Sequence, residues 1–476
     1  MAFIHETMPL PQDLVSDVLG FSWVLDLPHI SIYRGSAQEP VRQGPGRITQ
    51  DAQTGFLWLE ITAHSRGIIE RVSDLNEHKA GTLIGEERLL RMVGSETSGV
   101  EWRSEGFIEN ECDCGFHGGL AVYRYRLDSV WRGAREPNEL IRECIVIFDG
   151  HLPIPMSHTT HVTVTDGQNG NQSSHSLRNR LHFDSAEWSR QIIHRLAGYT
   201  ECIVSLKKNG LSGHGLRPYV EEVVVQSLTA AFKILCDWRI CYYSTADGQT
   251  LVVKSLAPQV PWRSAFPVIN VPSLYMGCAE SLLTKWFDSI GGSFESEGWD
   301  MRARVVYSVL KNENALAEVP TQLLVLGAGI ETVARKYFEA RGFDAKPALA
   351  ELACVVDGVK QGKIEGVSAA FGERLSGFKD FMSGPSTKDL FRLSNSGNHL
   401  DFSASEIQGW GKGRNLSAHG KWPGPTDGVP YLYSMITMLN KALLRTIDWS
   451  MPLTDYAAQG WPLVNPKDET QKPETG

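Results

Sequence analysis

Apolar and polar positions change their period along the chain. In the first 165 residues the apolar runs are short. Phe56-Leu-Trp-Leu-Glu-Ile-Thr, Leu120-Ala-Val-Tyr-Arg-Tyr-Arg-Leu and Cys144-Ile-Val-Ile-Phe are rich in β-branched and aromatic residues and sit between turn-forming clusters. Such runs predict strands, and their spacing suits an antiparallel sandwich or barrel. Thr165-Asp-Gly-Gln-Asn-Gly-Asn-Gln-Ser-Ser is polar throughout and reads as a loop and a domain boundary.

Residues 166–295 are mixed. Val220 to Trp238 has a helical apolar period, and Ile240–Tyr243 and Thr250–Val253 flank Asp247-Gly248, a strong hairpin signal. Ser281 to Ile290 predicts a further helix, ended by Gly291-Gly292. From Trp299 the helical period persists, with helices expected over 299–315, 319–341, 347–359, 362–383, 403–419 and 428–448. Ser403 with Glu406 three residues on forms a capping box, and Gly420 and Pro423 stop that helix. The fold class is therefore α+β. A β-rich antiparallel domain (1–165) is followed by a mixed connector (166–295), an all-α bundle (296–463) and a tail (464–476) whose composition is that of a disordered segment.

With 42% hydrophobic and 21% charged residues, the chain has the composition of an ordinary globular protein with enough apolar material for several cores. No apolar run is long enough to span a bilayer and the start lacks the marks of a signal peptide, so the expected location is the cytoplasm, without a membrane partner. Eight scattered cysteines read as reduced core residues. A net charge of −9 argues against a protein that coats nucleic acid non-specifically. The charge is uneven, however. No acidic residue lies between Glu406 and Asp427, while Lys412, Arg414, His419 and Lys421 do. That window suits a focused phosphate site.

Within it runs Arg414-Asn-Leu-Ser-Ala-His419, followed by Gly420. A histidine can move the proton of an RNA 2′-hydroxyl near neutral pH. An arginine can grip a phosphate through two parallel hydrogen bonds and offset charge developing on it. Asn415 and His419, four apart, share a helix face, whereas Arg414 lies about 140° from His419 around an ideal helix. Gly409, Gly411 and Gly413 punctuate the approach. Either the helix restarts at Arg414, or this stretch is a loop whose free amides contact phosphate.

The segment resembles the R-N-x-x-x-H form of the R-x4-6-H signature of HEPN domains, small helical bundles found in many prokaryotic RNases. Arg71 to His78 and Arg392 to His399 fit the loose spacing too, but lack the asparagine and the Ala-His-Gly ending. The layout of the chain, with the stretch from Tyr123 through Trp131 to Leu152 and Leu282-Leu-Thr-Lys-Trp-Phe, resembles abortive-infection HEPN proteins of the ApeA-like group. The resemblance implies a metal-independent endoribonuclease active in phage defence, needing no cofactor. Arg414, His419 and Asn415 would be catalytic, and Lys412, Lys421 and Glu331 would support the substrate. The implied partners are RNA, with transfer RNA among the candidates, a second copy of the chain with motifs facing each other, and a phage-derived trigger sensed by the N-terminal domain. The alternative within the same family is a bundle that binds RNA or nucleotide without cutting.

Other signals have plainer readings. Leu323-Leu-Val-Leu-Gly-Ala-Gly-Ile-Glu-Thr imitates a dinucleotide-binding turn, but Thr332 holds the third glycine position and no second strand follows. It reads as a buried helix with Gly327 and Gly329 at a close helix contact, and with Glu331 and Arg335 as an i,i+4 pair. Cys112, Cys114 and His117 lack the second pair that structural zinc requires, and the grouping of Asp149, His151, His158 and His161 matches no ligand spacing. No G-x-S-x-G elbow supports hydrolase chemistry of the serine type.

Overall fold

The computed structural model describes residues 10–65, 85–113, 119–133, 143–165, 172–184, 188–206, 216–244, 249–257, 262–263, 266–297, 299–314, 318–339, 342–344, 346–364, 366–376, 384–421 and 424–466. The chain divides into two compact units. The first comprises 1–228, 236–262 and 279–295; the second comprises 229–235, 263–278 and 296–476. The architecture is α+β, with an antiparallel sheet towards the N-terminus and a helical region towards the C-terminus.

The first unit is built on one sheet of fifteen strands. Val24–Arg34, Arg42–Gln50, Leu57–Ser65 and Gly119–Leu127 lie side by side, the last pair running from Leu57 opposite Leu127 to Ser65 opposite Gly119. Strict alternation buries Ala121, Tyr123, Tyr125 and Leu127 and leaves Leu120, Arg124 and Arg126 outside. Glu143–Phe148 is buried on both faces from Cys144 onward, and its two edges are paired with Thr200–Leu206 and Trp238–Ser244. Open sheets of this width curl, and here residues from strands well separated in the order, such as Leu57, Ile61, Ile203 and Val253, join one apolar cluster.

One expectation changes in this unit. Thr165 lies opposite Gln172 and Val164 opposite Ser173, so strands after residue 165 continue the same sheet and no domain boundary falls there; residues 166–171 lie outside the described residues. Polar composition marks a hairpin end as readily as a linker. The second hairpin is present as read, with Ile240 opposite Val253 and Tyr243 opposite Thr250; Asp247 and Gly248 lie outside the described residues.

Ten helices are described: α1 (Gln12–Leu19), α2 (Leu216–Phe232), α3 (Pro272–Glu297), α4 (Met301–Asn314), α5 (Val319–Tyr337), α6 (Lys346–Lys360), α7 (Ala369–Ser376), α8 (Thr387–Leu393), α9 (Ala404–Ala418) and α10 (Gly424–Arg445). α3 runs straight through Gly291-Gly292, which sequence alone marks as a stop. In the second unit α5 is the hub, packing against α4, α8, α9 and α10. Its buried face is Leu323, Leu326, Ile330, Val333 and Ala334, with Gly327 and Gly329. The stretch imitating a dinucleotide site is thus mid-helix, as the buried-helix reading requires. Met435, Met438, Leu439 and Leu443 of α10 are all buried within the unit. That apolar face therefore serves the unit's own core.

Candidate functional site

α9 begins at the expected capping box: Ser403 Oγ accepts from the Glu406 amide (3.1 Å) and the Glu406 carboxylate accepts from the Ser403 amide (2.7 Å). The carboxylate is also ion-paired with Lys441 of α10 at 2.9 Å, with both side chains under 10% exposed. One residue therefore starts the helix and clamps it to its neighbour.

The helix is unbroken through Gly409, Gly411 and Gly413, so both readings of those glycines, a restart at Arg414 or a phosphate-binding loop, are overturned. The glycines stand where other helices approach. A Cβ on Gly409 would fall 2.8 Å from Ser434 Oγ, and one on Gly413 would fall 3.0 Å from Met435 Sδ and 3.3 Å from Leu323 Cδ2. Packing outweighs the helix-propensity cost of about 1 kcal/mol per glycine.

α9 ends in a Schellman motif. Gly420 takes φ +67°, its amide bonds to the Ser417 carbonyl (3.1 Å), and the Lys421 amide bonds to the Leu416 carbonyl (2.8 Å). His419 is the C-cap, its amide on the Asn415 carbonyl (3.1 Å), with an exposed imidazole. Lys412, Asn415 and Lys421 are exposed too. On an ideal helix, Lys412, Asn415 and His419 lie within about 60° of one another, while Arg414 points well away from them.

Arg414 is directed at α5. Its stem crosses that helix at Gly327, where a Cβ would lie 3.0 Å from both Arg414 Cβ and Cγ. Its Nη2 meets Glu331 Oε2 at 2.6 Å. The Trp410 ring, 5.8 Å from the guanidinium carbon, is anchored by its own Nε1–H to the Gly327 carbonyl (3.2 Å). Glu331 Oε1 accepts from Arg335 (3.0 Å) and from Thr387 Oγ1 of α8 (3.1 Å). Expected to support the substrate, Glu331 makes its direct contacts with Arg414, Arg335 and Thr387. It orients the arginine, and an acid so engaged is suited to positioning rather than to binding an anionic substrate.

The structure thus brings Arg414 and Glu331 together and presents Asn415 and His419 on the adjoining exposed face. Among the described residues no side-chain partner holds His419. Sequence reasoning missed α8, although Ser386-Thr-Lys-Asp389 carries a capping-box pattern that the structure realises in full.

The decoys resolve differently. His399 is 8% exposed, bonds to the Met451 carbonyl (3.1 Å), and has its pKa lowered by burial. It is a structural histidine. Arg71 and His78 lie outside the described residues, as do Cys114 and His117; the side chain of His161 is likewise not described. Asp149 faces Arg239 at 3.7 Å, His158 is bound to Glu280 (2.6 Å), and His151 stacks on His194 with centroids 4.7 Å apart. Among the described residues no three histidine, cysteine or acidic side chains are arranged to hold a metal ion.

No family model, no curated protein and no solved structure matches the chain. Among the described residues no helix is long and apolar enough to cross a membrane.

Proposed function

We propose that the helical unit is a HEPN-type, metal-independent endoribonuclease that cuts RNA in the cytoplasm as part of abortive-infection defence. The observation carrying this reading is the fixed arginine: Arg414, seated on Gly327 and held by Glu331 at 2.6 Å, beside an exposed Asn415–His419 face. Glu331 takes one N–H of Nη2, and so one edge of the guanidinium, which leaves the other two-donor edge to grip a phosphate bidentately.

In the proposed reaction the RNA 2′-oxygen attacks the adjacent phosphorus as its proton is taken up. The P–O5′ bond breaks, and the departing 5′-oxygen takes a proton. The products are a 2′,3′-cyclic phosphate and a 5′-hydroxyl. His419 acts as base or acid, Arg414 stabilises the charge on the phosphorane-like state, and Asn415 orients the imidazole or the phosphate. One motif supplies one imidazole, so a two-fold dimer with facing motifs would supply both proton transfers. The β-rich unit is proposed to sense the phage-derived trigger.

The test is incubation of purified protein with end-labelled single-stranded RNA in EDTA. Cleavage with cyclic-phosphate ends is expected, reduced roughly 10²–10⁴-fold by His419→Ala and strongly reduced by Arg414→Ala, with unchanged circular dichroism. Arg392→Ala, an exposed arginine of a decoy, should cut normally. Full cleavage by folded His419→Ala refutes the mechanism. Monomers with full activity in a solution mass measurement refute the composite site.

A further inference from the structure

α8 carries a cation that the motif does not include. Lys388 follows Thr387, whose hydroxyl is fixed on Glu331, and its side chain is exposed. The lysine runs across α9 at Gly411, where a Cβ would fall 3.1 Å from Lys388 Cε and 3.3 Å from Nζ. The end of the Lys388 side chain therefore lies against the bare backbone that Gly411 leaves. On an ideal helix, Gly411 lies about 60° from Arg414 on one side and about 40° from Asn415 on the other. Residues three and four apart are neighbours on a helix surface, so the Lys388 ammonium lies against the part of α9 that adjoins both.

The positive charge is fixed there by packing. Thr387 is buried and α8 is held by its own capping box, so the backbone from which Lys388 projects is anchored on both sides. Among the described residues no carboxylate pairs with Lys388, whereas Arg414, the next cation, is partly neutralised by Glu331. An ammonium without a carboxylate partner, set between a guanidinium and an exposed amide–imidazole face, has the chemistry of a phosphate contact.

We infer that Lys388 is a substrate-binding residue of this site, gripping the phosphodiester backbone of single-stranded RNA beside Arg414, where Gly411 leaves it room against the helix. The inference rests on the RNase reading and extends it to a residue that no motif spacing could reveal, since Lys388 and Gly411 come from different helices. A point charge held against the backbone binds ground state and transition state alike, so its loss should raise KM and leave kcat nearly unchanged.

The experiment measures binding of a fluorescein-labelled single-stranded RNA oligonucleotide over a range of salt, in the full chain carrying His419→Ala so that the probe survives. It also measures kcat and KM in the otherwise wild-type chain. Lys388→Gln should weaken binding roughly 3–10-fold and reduce the log–log salt slope by about 0.7, the value for one phosphate contact on a single strand. Lys388→Arg should restore most of the affinity. Gly411→Ala should raise the melting temperature, because alanine favours the helix, and should weaken binding far less than Lys388→Gln, because the lysine tip need only give slightly. Arg392→Gln, on the same helix and exposed, should leave the slope untouched. A protein that cuts RNA with unchanged slope and KM in Lys388→Gln overturns the inference and spares the RNase reading. A wild-type chain that neither binds nor cuts RNA overturns both.

Discussion

Glu331→Gln tests the arginine support most sharply, because it removes a charge and almost no volume. Glu331 is 19% exposed and Arg414 35%, so the pair is only partly screened. A hydrogen bond to a charged group contributes about 1.5–3 kcal/mol, and the exposure of Arg414 reduces this towards 1 kcal/mol. Glutamine can still accept one bond from a guanidinium and one from the Thr387 hydroxyl, so the loss is confined to the charge, about 1 kcal/mol. If that energy fixes Arg414 for catalysis, kcat/KM for single-stranded RNA should fall roughly fivefold, since 1.36 kcal/mol is tenfold in rate. Glu331→Ala also removes the bond to Thr387 and should cost about 2 kcal/mol, roughly thirtyfold. The assay is steady-state cleavage in EDTA at fixed salt, with melting temperature recorded in parallel. Unchanged or faster cleavage by a folded Glu331→Gln protein would refute the reasoning. It would mean that Glu331 competes with phosphate for Arg414 and restrains the enzyme.

Three further outcomes follow from the packing and the titrating groups. Gly327→Ala puts a methyl 3.0 Å from the Arg414 stem and 3.2 Å from Met435 Cε; overpacking should destabilise by about 1–3 kcal/mol in denaturant titration and lower cleavage by shifting Arg414. Lys441→Met leaves Glu406 buried without its cation and should cost about 3–5 kcal/mol, whereas Glu406→Gln with Lys441→Met should recover part of it. The pKa of His194 is lowered to about 4, first by burial and then by the stacked His151. A depressed folded pKa means that the unfolded chain takes up the proton first. Stability is therefore whole above pH 6.5 and is lost as pH falls through 6.5 towards 4. After allowance for partial exposure, the loss is about 2 kcal/mol. His194→Gln should flatten that part of a urea-midpoint profile, and an unaltered slope would remove His194 as its cause.

Local features were legible in the sequence wherever a short stretch settles its own structure. The strands at 57–65, 119–127 and 143–148, the hairpin through Ile240 and Val253, and the start of α9 at Ser403 all follow from period, turn chemistry or capping within a few residues. So does the run Arg414–His419, which places a cation, an amide and an imidazole on one helix end. What these signals cannot carry is the partner. The polar run at Thr165 has the composition of a linker, yet pairing across it continues one sheet. Gly291-Gly292 reads as a stop, yet the helix passes through. Gly409, Gly411 and Gly413 read as breakers, yet side chains from other helices crowd or fill the space where their side chains would stand. Propensities are worth about 1 kcal/mol per residue, and packing against a neighbouring element outweighs them. For the same reason the sequence alone identified Arg414 and His419 as a pair, while only the tertiary structure decided that Glu331 grips the arginine, that Gly327 seats it and that Lys388 stands beside it. Those residues are far apart along the chain, and the contacts that join them exist only once α5, α8 and α9 have packed.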